Sequence, residues 1–305
     1  LSTTIYEPLI NWPPGYSLLL SVFYVLFDHN YILAGLTLDI LAAIVLILTT
    51  RRILRTMDLP VYLINLFSLL SCFFIYSFYF INSSDAIAIT FFVIAIYYSL
   101  TIIKGGKPSF RSILVLILCL FFSGLIKYLF IPVVFIVPVF LFLKGTADKN
   151  KHIKKAGIIS FLALAGLLGA VLLWQKINSG SAAYISETSR GFFPENLINS
   201  YPALPASFIN PDTISLAFPA DSSASNIIYR VLQSLHVLII LIATIYVIRR
   251  ISTKGLKEIS LNSSFFYLSF LLSAGIILLL VTLSLSVGKE ENYPGHWWTY
   301  AEEPR

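Results

Sequence analysis

Charge is scarce in this chain. Asp, Glu, Lys and Arg supply only 12% of its 305 residues, about half of what a water-facing globular surface carries, which excludes an ordinary soluble domain. Cysteine is rarer still. Cys72 and Cys119 both fall inside apolar runs, which suits buried thiols and excludes a disulfide framework or a cysteine metal site. The four histidines, at 29, 152, 236 and 296, have no ligand spacing, so a structural zinc site is disfavoured. There is no glycine-rich phosphate loop and no Gly-x-Ser-x-Gly elbow, so soluble nucleotide chemistry is disfavoured too.

What the chain has instead is apolar bulk: 57% hydrophobic residues, 15% aromatics and a mean hydropathy of +0.84. A helix rises about 1.5 Å per residue, so about 20 apolar residues cross a bilayer core of about 30 Å. Runs of that kind are expected at 31–50, 59–81, 85–103, 111–126, 128–143, 156–177, 229–248 and 264–287. The fold class is therefore an all-α polytopic membrane protein with about eight transmembrane helices. The fourth and fifth runs are short, and Gly124-Leu125-Ile126-Lys127-Tyr128 leaves almost no loop between them. A tight helical hairpin near one membrane face is expected there.

Cytoplasmic loops carry excess Lys and Arg, which orients the bundle. Segments 51–58, 104–111, 144–155 and 249–263 together hold Arg51, Arg52, Arg55, Lys104, Lys107, Arg111, Lys144, Lys149, Lys151, Lys154, Lys155, Arg249, Arg250, Lys254 and Lys257. The opposite side receives the turn 82–84, the long loop 178–228 and the tail from 288. It collects Glu187, Glu195, Asp212, Asp221, Glu290, Glu291, Glu302 and Glu303. Most of the net charge of +6 is this asymmetry, so a nucleic-acid partner has no support.

Trp12-Pro13-Pro14-Gly15-Tyr16 precedes the first span, and proline suits the first turn of a helix. A helix at 14–27 is expected. Crossing would put residues 1–13 in the cytoplasm, yet about 14 residues cover only about 20 Å. The helix is thus expected in or dipping into the outer interface, with both ends outside. Cysteine labels at positions 8 and 29 should then react from the same, outer side; opposite sides would refute the placement. The chain starts at Leu1, has Met57 as its only methionine and stops at Arg305 just after a span, which reads as a fragment lacking both ends.

In order, Asn11-Trp12-Pro13-Pro14-Gly15-Tyr16 with Leu18-Leu19-Leu20, Arg51-Arg52, Ser84-Asp85-Ala86 and Gly124-Leu125-Ile126-Lys127-Tyr128 resemble the landmarks of the dolichyl-phosphate-mannose protein mannosyltransferase and aminoarabinose transferase group. These are C-type membrane glycosyltransferases. The likeness covers roughly residues 8–143 by landmarks and the rest by span layout. It implies one transmembrane glycosyltransferase-like domain over 1–305, with a juxtamembrane segment 1–30, an outer loop 178–228 and an outer tail 288–305. The implied donor is a polyprenyl phosphate bearing one hexose or pentose. The implied acceptor is a hydroxyl of a glycan, lipid or protein on the outer face, at a bacterial inner membrane with the active site periplasmic. The resemblance places Trp12, Pro13, Pro14, Gly15 and Tyr16 along the donor cavity. It also places the usual catalytic carboxylate in a first outer loop, ahead of Leu1. No cofactor is evident, and assistance by a divalent cation stays open.

The chemistry sets which residue types matter. An acceptor hydroxyl must give its proton to a carboxylate, and the departing phosphate needs cations or oriented donors. Glu7 and Asp85 are the candidate catalytic acids. The plainer reading of Glu7 is a solvated loop acid, and Asp85 reads equally as a helix cap at the positive end of a dipole. Asp39 lies within a span, where an ionisable group is functional or pairs helices together. Lys127, beside Tyr128, is the candidate phosphate partner, with a snorkelling lysine as the plain alternative. Arg190 and Arg230 are further outward cations. Arg305 closes the aromatic tail Tyr293-Pro294-Gly295-His296-Trp297-Trp298-Thr299-Tyr300 and its Pro304-Arg305 resembles a Pro-Arg-Tyr element of the group; the aromatics also suit an interfacial belt. Two other classes share parts of the pattern. A transporter or lipid flippase would need paired, interrupted segments in two halves, and no internal repeat is visible. An O-antigen ligase or polymerase would place its catalytic residues in the long outer loop.

Overall fold

The computed structural model describes residues 13–69, 84–179, 223–254 and 264–286, and every regular element among them is helical. Glu7, Trp12, Cys72, Arg190, Arg305, most of the outer loop and the whole tail lie outside the described residues. In chain order the helices are α1 (Pro14–Leu26), α2 (Tyr31–Thr56), α3 (61–69), α4 (Ser84–Gly105), α5 (Phe110–Ile126), α6 (Ile131–Val134), α7 (Ile136–Ala147), α8 (Lys151–Ser179), α9 (Ser223–Lys254) and α10 (Ser264–Ser286).

Three of them are long and apolar enough to cross a membrane: Tyr31–Thr56, Ser84–Gly105 and Lys151–Asn178. The expected runs underestimate these helices, because hydropathy ends at the first charges while the backbone ladder does not. Thus α2 continues past Arg51 and Arg52 to Thr56, and α8 begins at Lys151 rather than 156.

The expected run 128–143 is not one helix. A 3-10 turn, Tyr128–Phe130, leads into α6, and Phe135 separates α6 from α7. Pro138 is the cause: it has no N–H for the Val134 carbonyl, and its ring crowds that same group. Runs 111–126 and 128–143 consequently do not pair as the expected tight hairpin. Instead α5 lies along α4, and α7 lies along α8. The α7 and α8 backbones approach closely where glycines permit it: a Cβ at Gly157 would stand 2.5 Å from the Phe142 nitrogen, and one at Gly145 would stand 2.2 Å from the Lys154 nitrogen. Small residues are how helices approach in lipid, where hydrophobicity alone does not drive association.

Hydrogen bonds define the two ends of the bundle. At one, Lys104 at the end of α4 reaches the Thr56 carbonyl at the end of α2, and Asn150 donates to the Gly106 carbonyl at 2.8 Å. The cations at the ends of α2, α4 and α7 and at the start of α8 stand at this end. At the other end stand Asp85 and Lys127. The core between them is aromatic and aliphatic: Phe140 packs on Phe266, Tyr267 and Phe270, and Ser99 and Tyr267 share a buried hydrogen bond. Cys119 is a buried free thiol.

The opening helix starts at Pro14, as the proline pair predicts. It does not run the length of the bundle. Asp28 and His29 take left-handed φ of 47° and 69°, Tyr24 stacks on His29, and the Asn30 side chain caps α2 by accepting from Leu33 N at 3.1 Å. This turn sends α2 back antiparallel to α1. Tyr16, Leu19 and Phe23 pack with Leu38, Ala42, Ala86 and Ile126, while Leu18, Val22, Val25 and Leu26 stay exposed.

Candidate active site at the Asp85 and Lys127 end

α5 ends at Lys127 because its backbone becomes extended there, with φ −140° and ψ 111°. Its N–H still donates to the Ser123 carbonyl at 3.2 Å, so the side chain is held at the lip of α5. Ser123 in turn donates to the Ala88 carbonyl at 3.0 Å, fixing α5 against the first turns of α4. That contact puts Lys127 opposite Asp85, and both carboxylate oxygens lie 3.0 Å from the Lys127 Nζ. The pair is accessible: the side chains are 31% and 40% exposed. A lysine has three donors, so an acceptor can share the ammonium with Asp85.

Tyr128 follows. Its hydroxyl donates to the Gln175 Oε1 at 2.6 Å, which ties the turn to the end of α8. Burial raises the Tyr128 phenol above its ordinary value, and the Gln175 bond works against that shift. The group is therefore a neutral hydrogen-bonding phenol at physiological pH.

Gly15 brings the proline-led helix to the same place. A Cβ there would meet the Leu125 carbonyl group and the Ile126 nitrogen at 2.8 Å, one residue short of Lys127. Pro13 and Pro14 precede it at partial exposure. Tyr16 is half-buried and stands near Asp39; burial and then the Asp39 charge push its phenol up to about 12. Asp39 itself is fully buried, on the face of α2 that meets α1 and α4.

Of the predicted site residues, Asp85, Lys127, Tyr128, Gly15 and Tyr16 thus converge at one end, and Lys127 is one half of an ion pair instead of a lone snorkelling cation. Asp85 stands in the first turn of α4, at the positive end of its dipole, and pairs with Lys127 from there. Glu7, Trp12 and Arg305 lie outside the described residues. Sequence reasoning missed Gln175 and Ser123. Gln175 had a signal, as an amide inside an otherwise apolar run, where a polar group needs a partner; Ser123 had none, since serine is common in spans. Among the described residues no three His, Cys, Asp or Glu side chains gather as a metal set.

Among the described residues the regular structure is helical, and three helices have the length and composition of membrane spans. No protein-family model matches the chain, and neither a curated protein nor a solved structure matches it.

Proposed function

We propose that this protein is a membrane glycosyltransferase that moves a sugar from a polyprenyl-phosphate donor to an acceptor hydroxyl on the outer membrane face. The observation that carries the proposal is the pairing of Asp85 with Lys127, next to Tyr128 in sequence, and the packing of Gly15 on the Ile126 backbone, at one accessible end of an apolar bundle. These residues come from three separate landmarks of the sequence.

In the proposed reaction the acceptor oxygen forms a bond to the anomeric carbon and loses its proton to a carboxylate. The bond from that carbon to the phosphate oxygen breaks, and the lipid phosphate departs with the electron pair. Lys127, held by Asp85, neutralises charge as it develops on that phosphate, since a preoriented cation acts most strongly where charge increases in the transition state. Asp85 is the described carboxylate at this place. Gly15 and Tyr16 line the approach, and the exposed face of α1 offers the prenyl chain an apolar wall.

The test is donor preference. Membranes containing the full-length protein should transfer sugar from a polyprenyl-phosphate donor and not from a sugar nucleotide alone; the opposite preference sinks the reading.

A further inference from the structure

At the far end of the bundle, two turns that are distant in sequence are bonded into one surface. Asn150, in the turn between α7 and α8, donates through its side chain to the Gly106 carbonyl between α4 and α5 at 2.8 Å. The same side chain accepts from His152 N and Ile153 N at 3.0 and 3.2 Å, capping α8. One asparagine therefore fixes both turns together. Around it Lys107, Arg111, Lys149, Lys151, His152 and Lys155 are all exposed.

The acids described at this end do not neutralise that group. Asp148 is engaged by Lys144 at 2.9 Å, and Asp58 faces Lys104 at 3.4 Å. The N-termini of α5 and α8 also open here, adding positive dipole ends to the same field.

The apolar residues decide what kind of anion fits. Phe110 lies between Ser109 and Arg111 and is 81% exposed, an unfavourable position in water for an aromatic ring beside a cation. One turn further along, Leu114 on α5 and Ile158 and Ile159 on α8 are also exposed. The cations thus form the rim of an apolar belt, the pattern that lysines and arginines make beside lipid phosphates at a membrane surface. A surface for a soluble acidic protein would have no need of that belt.

We propose that the joined α4–α5 and α7–α8 turns form a binding surface for anionic phospholipid headgroups, with Lys107, Arg111, Lys151 and Lys155 on the phosphates and Phe110 inserted among the acyl chains. This surface is at the opposite end from Asp85 and Lys127, so it stands whatever sugar chemistry that end performs.

Each cation near an anionic surface contributes about fivefold in affinity. Short-chain phosphatidylglycerol added to the full chain in neutral detergent should raise its melting temperature in a saturable, salt-sensitive way. In K107Q/K151Q/K155Q the half-saturating lipid concentration should rise roughly a hundredfold. In Phe110→Ser it should rise while the salt sensitivity is kept. Phosphatidylcholine of the same chain length and inorganic phosphate should each give no such shift. The proposal is overturned if the triple variant saturates at the wild-type concentration, if phosphatidylcholine protects equally, or if inorganic phosphate alone reproduces the shift, which would make this a site for soluble anions. Since the substituted lysines are exposed, retention of phosphatidylglycerol in native mass spectra of the folded fraction gives a readout independent of melting.

Discussion

Replacing Lys127 by alanine is expected to lower transfer from a polyprenyl-phosphate donor by roughly 10²-fold, the loss seen when one oriented transition-state donor is removed. Folding should hardly change. The Lys127–Asp85 pair is partly exposed, and such pairs contribute only about 0–1 kcal/mol. Activity and stability are therefore separable at this position, which makes the experiment decisive. Lys127→Arg keeps the charge and should retain part of the activity, though its planar fork meets Asp85 differently. Asp85→Asn tests the other half: the cation persists but loses its anchor, so the donor KM should rise, and kcat should fall too because the carboxylate that takes the acceptor proton is gone. Unchanged turnover in Lys127→Ala, measured with the full-length protein and a saturating acceptor, would remove Lys127 from the site.

Gly15→Leu should have the largest structural effect at this end. The atoms a Cβ would meet at 2.8 Å are backbone atoms of Leu125 and Ile126, and backbone cannot rotate aside as a side chain can. Either α1 lifts away or the end of α5 shifts, and Lys127 is the next residue. Even Gly15→Ala should cost about 1–3 kcal/mol, the range for forcing added volume into a packed interface. Both variants should lower the melting temperature in detergent and reduce transfer together. Gly166→Ala and Gly169→Ala are the controls. Nothing lies within 4 Å of a Cβ at either position, so there alanine should be neutral or gain up to about 1 kcal/mol of helix propensity. A Gly15→Ala protein as stable and active as those controls would show that α1 is not docked on α5.

The docking of α1 shows how far sequence pattern reaches. Two prolines placed the start of the helix, because their geometry is local. The antiparallel return of α2 depends on Asp28 and His29 adopting positive φ, which no hydropathy pattern signals. The partner of Gly15 was hidden for another reason: the close approach is to residues more than a hundred positions away. Pro138 was visible all along, yet its effect was missed because a continuous apolar run masks a break in the hydrogen-bond ladder.

The joining of Asp85 to Lys127 has the same character. Each could be singled out alone, as an acid opening a span and a base closing one. Their 3.0 Å contact follows from Ser123 bonding across to α4, a link between two elements that only packing brings side by side.

Composition and charge order were sufficient for the class of this protein, because a chain this apolar satisfies its backbone in lipid only as helices, and the one-sided distribution of Lys and Arg already separates two ends. Tertiary structure alone decided which residues at an end touch one another. Membrane helices are nearly interchangeable in hydropathy, so their neighbours are chosen by glycine clearance, proline breaks and single hydrogen bonds. Those are relations between distant residues, and a one-dimensional pattern does not contain them.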